Sequence, residues 1–223
     1  MESQAEQRAP RTKGQRTRQR LLDATLELIG AEGTAAVTTG RIAAAAGLAQ
    51  SSFYQHFKSL EHCIEAAGRA VVERIRPPQP GLRERALSRF RGQDDLPRLV
   101  QLLVEELVKP YLEEPELTLL YYRHRLDPTT FGRAMAQIMD RERAVLTDVW
   151  WRAAERLGVG PELYPVVALE SELVNSMAAG AIQAIATGRF QNRDLVLGQL
   201  RLMIEGGIRA NLELLESRRA SRQ

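Results

Sequence analysis

The chain contains a single cysteine, Cys63, so no disulfide bond can form within it. This is typical of proteins from reducing compartments, and a cytoplasmic location is expected. One cysteine and three scattered histidines do not give the spacing of a metal site. We therefore predict no metal and no cofactor, and we expect Cys63 to be a small buried residue of a helix.

Long apolar runs are also missing. The most hydrophobic region, residues 166–186, is interrupted by Glu170, Glu172, Asn175 and Gln183, and a membrane-spanning helix needs about 18 to 20 predominantly apolar residues. The basic N-terminus is not followed by an apolar stretch, so it does not resemble a signal peptide. No membrane partner is expected.

The motifs of common enzyme classes are absent as well. The sequence has no glycine-rich phosphate loop, no GxSxG, no HExxH and no Cys/His nucleophile pair. Its adjacent carboxylates, at 105–106 and 113–114, diverge on a helix and indicate solvated surface. The chain is predicted not to be an enzyme, and without alternating or hairpin patterns it is predicted to be all-α.

Positive charge is concentrated near the N-terminus, although the net charge of the whole chain is only +3. Residues 7–22 hold six basic side chains and no acidic one. Because Pro10 and Gly14 discourage a helix, residues 1–15 are predicted to form a flexible basic arm. Such an arm either contacts nucleic-acid phosphates or a minor groove, or is a solvated tail.

Residues 42–57 have the pattern of a helix-turn-helix. An alanine-rich helix ends at Gly47, which can adopt the left-handed conformation, and a short polar and aromatic helix follows from about Ala49. Phe53 and Phe57 lie four residues apart and are expected to anchor the second helix in a core. An ordinary helical hairpin is the alternative.

The preceding segment supports the helix-turn-helix interpretation. Leu22, Thr25, Leu26 and Ile29 form the stripe of an amphipathic helix that should end before Gly33. Thr38 is well placed to cap the next helix, whose first N–H groups would then face a phosphate, and Ser59 to cap a later helix.

Residues 17–61 together resemble the N-terminal DNA-binding domain of the TetR family of transcriptional regulators. The glycine, the Ile-Ala pair, the Tyr-x-His-Phe run and the Ser-x-Glu start fall at the family's spacing. Three positions depart from the family pattern. Ala49 replaces the usual capping Ser or Thr, Ser51 a common Gly, and Leu60 a phosphate-contacting Lys.

The predicted DNA contacts lie on the arm and on the two helices of the motif. Side chains with hydrogen-bonding groups suit base edges, and basic or hydroxyl side chains suit phosphates. Base contacts are predicted for Gln50, Ser51, Ser52 and Gln55. Phosphate or arm contacts are predicted for Arg11, Lys13, Arg16, Thr38, Thr39, Tyr54, His56 and Lys58.

The rest of the chain indicates a larger helical domain. We expect a DNA-binding domain at 16–62 and a helical effector-binding and dimerisation domain at 63–223, with a proline-rich loop at 77–81. Helices are predicted at 82–91, 96–112, 115–125, 128–157, 162–187 and 193–217.

The last two predicted helices carry wide apolar stripes. In the TetR family the two C-terminal helices form a four-helix dimer interface, and the resemblance implies a homodimer here. The alternative is burial within one subunit. Predicted interface residues are Leu173, Met177, Gly180, Ala184, Leu200, Ile204, Gly207 and Ile208.

Aromatic residues and methionines gather in the middle helices of a chain that is only 5% aromatic. They indicate either a cavity for a small apolar or amphipathic effector or an ordinary core. The candidates are Tyr111, Tyr121, Tyr122, His124, Phe131, Met135, Met139, Trp150 and Trp151. Arg123 to Arg125 could bind an anionic group or form a solvated basic turn.

These patterns predict a homodimeric transcriptional repressor that a small effector releases from a palindromic double-stranded DNA operator. One alternative is a TetR-like DNA-binding scaffold or nucleoid-associated protein without an effector. Another is a helical lipid-binding protein that has lost operator binding.

Overall fold

The computed structural model describes residues 12–76 and 81–220. Within these ranges the protein has eleven α-helices, three short 3-10 helices and no strand. The described residues fall into two compact units, one comprising residues up to Ala70 with Asp127–Ala134, the other Val71–Leu126 with the residues from Met135 onward. The division after Ala70 lies within the helix at 60–75, and the expected domain boundary at 62–63 stays a prediction.

Unit 1 contains the first three helices and the start of the fourth. Their bounds are α1 (Lys13–Glu32), α2 (Thr39–Ala45), α3 (Gln50–Tyr54) and α4 (Leu60–Ile75). The predicted apolar stripe of α1 is buried, with Ile29 only 1% exposed, and Cys63 is buried against Thr25. Gly33 ends α1 at a φ of +82°.

Helix α1 begins at Lys13, within the residues 1–15 that are predicted to form a flexible arm. The Thr12 hydroxyl accepts from the Gln15 N–H at 3.2 Å, and the Gln15 side chain accepts from the Thr12 N–H at 2.8 Å. This reciprocal capping box satisfies two N–H groups that would otherwise be unpaired. Lys13 therefore lies in a capped helical turn, while Arg8, Arg11 and the rest of the arm through residue 11 lie outside the described residues.

Unit 2 contains the remaining helices. They are α5 (Leu82–Ser88), α6 (Leu96–Leu107), α7 (Lys109–Glu113), α8 (Pro115–His124), most of α9 (Thr130–Arg156), α10 (Tyr164–Ala186) and α11 (Arg193–Ala220). The single helix predicted at 96–112 is two helices that meet at Val108. Pro110 has no N–H to donate, so the helical hydrogen-bond ladder is interrupted there.

Helices α6, α10 and α11 pack together, and their apolar side chains form much of the core of unit 2. Among the described residues, no helix is both long enough and apolar enough to cross a membrane.

Candidate functional site

The turn between α2 and α3 has the geometry predicted for a helix-turn-helix. Gly47 has a φ of +65°, and the N–H groups of Gly47 and Leu48 donate to the carbonyls of Ala44 and Ala43, both at 2.9 Å. The Arg20 guanidinium donates to the Ala46 carbonyl. Three of the last four carbonyls at the end of α2 therefore accept hydrogen bonds. The bond from Arg20 also fixes the turn against α1.

Helix α3 has one buried face and one exposed face. Phe53 and Phe57 are fully buried, with ring centroids 5.6 Å apart, so they anchor the helix as predicted. The next residue, Tyr54, is 57% exposed, and its ring contacts Phe53 edge-on. Gln50, Ser51 and Gln55 are also exposed, and Ser52 and His56 are half-buried.

The first residues of α2 lie next to α3. The Thr38 hydroxyl accepts from the Arg41 N–H at 3.3 Å, which makes Thr38 the predicted N-cap. The Gln50 amide donates to the Thr39 hydroxyl at 3.0 Å, and a Cβ on Gly40 would lie 4.0 Å from the same amide nitrogen. Ala49 supplies no side-chain cap to α3, as its residue type implies. The Gln50–Thr39 contact joins the two helices where the cap is missing.

Basic side chains surround this surface. A Cβ on Gly14 would lie 4.0 Å from His56 Cε1, so the first turn of α1 is beside the end of α3. Lys13, Arg16 and Lys58 are all exposed. The predicted DNA-contacting residues that the structure describes all belong to unit 1, and Arg11 lies outside the described part.

Arg41 forms contacts within unit 1. Its guanidinium pairs with the Glu32 carboxylate and donates to the Ala36 carbonyl at 2.9 Å. The hydrogen bond from Arg41 lowers the pKa of Glu32 from its usual value. The pair joins the end of α1 to the start of α2.

Unit 2 contains a cavity of about 80 Å³ that is partly open to solvent. Of the nine aromatic, histidine and methionine candidates, five line it: Tyr111, Tyr121, Tyr122, Met139 and Trp150. The remaining wall is mainly aliphatic, from α6, α10 and α11. It also includes Arg76, Arg125, Arg143 and Asn175, of which only Arg125 belongs to a segment that the sequence pattern singles out.

Four of the candidates do not line this cavity. Phe131 belongs to unit 1, where a Cβ on Gly68 would lie 2.8 Å from its carbonyl oxygen. Met135 is fully buried, and His124 is buried outside the lining. The Trp151 ring packs edge-on against Tyr164, with centroids 5.2 Å apart. Aromatic content alone could not separate these core positions from the wall of the cavity.

The three cavity tyrosines form a cluster, with the rings of Tyr121 and Tyr122 5.0 Å apart and Tyr111 within 6.4 Å of both. Burial raises the pKa of Tyr121 to about 12 and also raises those of Tyr111 and Tyr122. The phenols are therefore neutral at ordinary pH and can donate as well as accept hydrogen bonds.

Trp150 also lines a second cavity, of about 60 Å³. Its wall is largely apolar and has one charged residue, Glu170. Burial raises the pKa of Glu170, while a hydrogen bond from Asn211 opposes that effect. Within the described residues, no group of His, Cys, Asp and Glu is arranged to hold a metal ion.

Helices α10 and α11 present an exposed apolar surface, which we call the outer face. Each helix contributes two large side chains that are 55–63% exposed: Leu169 and Leu173 on α10, and Leu202 and Met203 on α11. The outer face also includes Val166, Gly180, Leu195, Gly206, Gly207 and Leu214.

The predicted interface residues divide between two sides of these helices. Leu173, Gly180 and Gly207 lie on the outer face, and Met177 and Ala184 are half-buried beside it. Leu200 and Ile204 are each only 4% exposed and Ile208 is half-buried, so these three pack within the subunit. Helix α11 is apolar on two sides, and the spacing of its apolar residues does not reveal which side faces inward.

Residues 21–67 match the family model described as bacterial regulatory proteins, tetR family. No curated protein is a detectable relative of the chain in sequence.

Solved structures share the fold over most of the chain. A TetR-family transcription regulator from Shewanella sp. PV-4, described as putative, is 17% identical with a TM-score of 0.62, covering 88% of this chain and 98% of its own. NalD of Pseudomonas aeruginosa, the secondary repressor of the MexAB-OprM multidrug efflux pump, is 19% identical with a TM-score of 0.62, covering 86% and 95%. The fatty acid degradation regulator FadR of Bacillus halodurans is 16% identical with a TM-score of 0.60, covering 86% and 96%. Residues 21–67 therefore match the DNA-binding domain of tetR-family regulators, and the chain as a whole shares its fold with solved structures of such regulators.

Proposed function

We propose that the protein is a homodimeric repressor that binds a palindromic operator in the cytoplasm and is released when a small molecule enters the cavity of unit 2. The cavity is the observation that carries this proposal. It is open to solvent, holds about 80 Å³ of free space, and has mainly apolar walls with a few polar groups, the lining that small-molecule sites commonly have. A DNA-binding scaffold without an effector would need no such space.

The α3 surface supports sequence-specific operator binding. A recognition helix in a major groove needs exposed hydrogen-bonding side chains, and Gln50, Ser51 and Gln55 provide them. Tyr54 and the basic residues around them suit phosphates, which fix the register of the helix on the duplex.

The outer face supports the dimer. Its leucines and methionine are too exposed and too numerous on adjoining helices to be typical of a free surface. A two-fold axis would pack α10 and α11 of one protomer against the same helices of its partner, because the same patch must serve both subunits. Two recognition helices would then meet two half-sites of a palindrome.

The test begins by selecting genomic fragments of the host that bind the purified protein, and then titrates a selected fragment by fluorescence anisotropy. Apolar and amphipathic compounds are screened for those that weaken binding. Ala178 lines the cavity, so Ala178→Leu should reduce the response to an active compound while DNA affinity without the compound persists. Ala144→Leu, at an exposed position of α9 outside the cavity, is the matched control. Specific DNA binding that no compound weakens would support the scaffold instead.

A further inference from the structure

Three buried hydrogen-bond donors line the cavity of unit 2 without an acceptor. Arg76 Nε, Trp150 Nε1 and Asn175 Nδ2 have no hydrogen-bond partner among the described residues. Arg76 and Trp150 are only 8% and 7% exposed. A buried donor left unpaired costs about 1–3 kcal/mol, and more when it is charged. Three such donors on residues that line the same cavity indicate a ligand that supplies acceptors.

The charge of Arg76 is only partly compensated. Its Nη2 lies 3.6 Å from Glu142 Oε2, and a guanidinium that is fully paired with a carboxylate makes two shorter, parallel hydrogen bonds. The Glu142 side chain is also more exposed than that of Arg76, at 26% against 7%. A nearly buried cation with one long contact to a carboxylate is a favourable partner for an anion.

The other charged residues of the lining are also positive. Arg125 and Arg143 join Arg76 in the wall, and no aspartate or glutamate of the described residues lines this cavity. The Arg125 guanidinium stacks 5.4 Å from the centroid of Tyr122, and Arg143 approaches Glu172 at 3.7 Å. The second cavity, whose charged residue is Glu170, has the opposite character. An anion is therefore favoured in the first cavity and disfavoured in the second.

The apolar part of the first cavity is formed by one face of α6. Val100, Leu103, Val104 and Leu107 line it at helical spacing. This aliphatic wall suits a hydrocarbon or flat ring system rather than a further polar group.

We propose that the ligand of this cavity is an amphipathic carboxylic acid, held by its carboxylate. The carboxylate oxygens accept hydrogen bonds from Arg76, Asn175 and Trp150, and the apolar part of the ligand packs against α6. This inference rests on the proposed effector site and names the chemical class that the site accepts.

The test compares three probes that share a ten-carbon chain: decanoate, methyl decanoate and 1-decanol. Binding is measured by isothermal titration calorimetry and by the fluorescence of Trp150 in a Trp151→Phe background. Decanoate should bind at least about tenfold more tightly than either neutral probe, the difference expected for one charge-assisted hydrogen bond. Equal affinities for the three probes would overturn the inference.

Arg76→Gln should remove the preference for decanoate while leaving the affinity for 1-decanol within about twofold. Arg74→Gln is the matched control, because Arg74 is an exposed arginine two residues away that pairs with Glu114 and does not line the cavity. If Arg76→Gln does not fold, Asn175→Leu decides, since it removes one donor and keeps the charge. It should weaken decanoate several-fold and leave 1-decanol unchanged, and an unchanged decanoate affinity would contradict the proposal.

Operator release is measured separately from binding. Decanoate that binds with the predicted preference but does not weaken operator binding supports the ligand class and refutes the effector function. A neutral compound that weakens operator binding, combined with no preference for decanoate, supports the effector function and refutes the ligand class.

Discussion

Gln50 and Tyr54 occupy the same exposed surface of α3, yet their expected roles in DNA binding differ. Gln50 is held by its hydrogen bond to Thr39, so its amide has a defined position from which to contact a base edge. Tyr54 ends in a hydroxyl, which suits a phosphate oxygen whatever the base sequence. The distinction can be measured, because base contacts and phosphate contacts change affinity in different ways.

Gln50→Ala should relax the preference for particular base pairs, whereas Tyr54→Ala should weaken all sequences by a similar amount, about 1–2 kcal/mol. Affinities for the selected operator and for single-base variants of it provide the measurement. Tyr54→Phe removes only the hydroxyl and is the matched control for ring packing. An unchanged sequence preference in Gln50→Ala would refute the assignment of α3 as the recognition helix.

The backbone conformation at residue 47 and the side chain next to it both require a glycine there. At a φ of +65° any Cβ is strained, and here it would also lie 3.1 Å from Arg20 Nη2, the group that binds the Ala46 carbonyl. Gly47→Ala should destabilise the protein by about 1–2 kcal/mol in urea unfolding. Gly40→Ala, in the first turn of α2, should be neutral or slightly stabilising. Equal effects of the two substitutions would contradict this account.

At the scale of helices, the N-terminal arm can be separated from the start of α1. Thr12 and Gln15 form a capping box, so a deletion through residue 15 would damage the helix as well as remove charge. Deletion of residues 1–11 removes Arg8 and Arg11 and leaves the box intact.

This shorter deletion should reduce the slope of log affinity against log salt concentration by about one unit for each phosphate that the protein no longer neutralises. The double substitution Arg8→Gln with Arg11→Gln keeps the length of the arm and should give the same change. A slope equal to that of the intact protein would show that the arm does not bind DNA.

Glu170 and Asn211 connect α10 to α11, and burial raises the pKa of Glu170. When the pKa of an acid is higher in the folded state than in the unfolded state, folding becomes less favourable as the pH rises above the pKa of the unfolded state. Glu170→Gln keeps an acceptor for Asn211 and cannot ionise, so it should increase stability at pH 7. The gain should disappear below about pH 4, where the unfolded carboxyl is also protonated.

Thermal unfolding of Glu170→Gln between pH 3 and 8 measures this dependence. Glu213→Gln, which changes an exposed carboxylate on α11, serves as the control. A gain that is the same at every pH would show that ionisation of Glu170 is not its cause.

Local signals in the sequence predict the helix-turn-helix well. The positive φ of Gly47, the cap at Thr38 and the buried pair Phe53 and Phe57 each follow from residue type and spacing within a few positions. The capping box at Thr12 escapes prediction because Pro10 and Gly14 indicate a flexible start. Its Thr-x-x-Gln spacing is the signal that could have revealed it.

Long-range packing accounts for the errors in unit 2. Arg76, the residue after α4, and Asn175 of α10 both reach the cavity, and a pattern search for aromatics does not identify them. The predicted stripe of α11 combines the buried Leu200 and Ile204 with the exposed Gly207, because the inner and outer faces of this helix are both apolar. The packing of α6 and α10 against α11 determines which face is buried.

At the scale of the whole molecule, the outer face makes a direct prediction about assembly. A Cβ added at Gly180 or Gly207 would meet no atom within 4 Å in the described part of the subunit. A leucine there should leave the fold of one subunit intact, and it should disrupt packing only if a second subunit covers it.

Gly180→Leu and Gly207→Leu should therefore sediment as monomers with an unchanged helical circular dichroism spectrum. Operator affinity should fall by orders of magnitude, because two half-site contacts are strong only when they are tethered. Gly92→Leu, also in open space but outside α10 and α11, is the matched control. Monomeric variants that retain wild-type operator affinity would contradict the proposed dimer.

The two helices that carry the outer face also form part of the cavity wall. Val174 and Ile204 line the cavity, while their chain neighbours Leu173 and Met203 are exposed. If ligand binding shifts these helices, ligand affinity and subunit association are thermodynamically linked, and each must change the other by the same factor. The apparent dissociation constant for the ligand would then depend on the concentration of the protein itself, with separate values for dilute monomers and concentrated dimers.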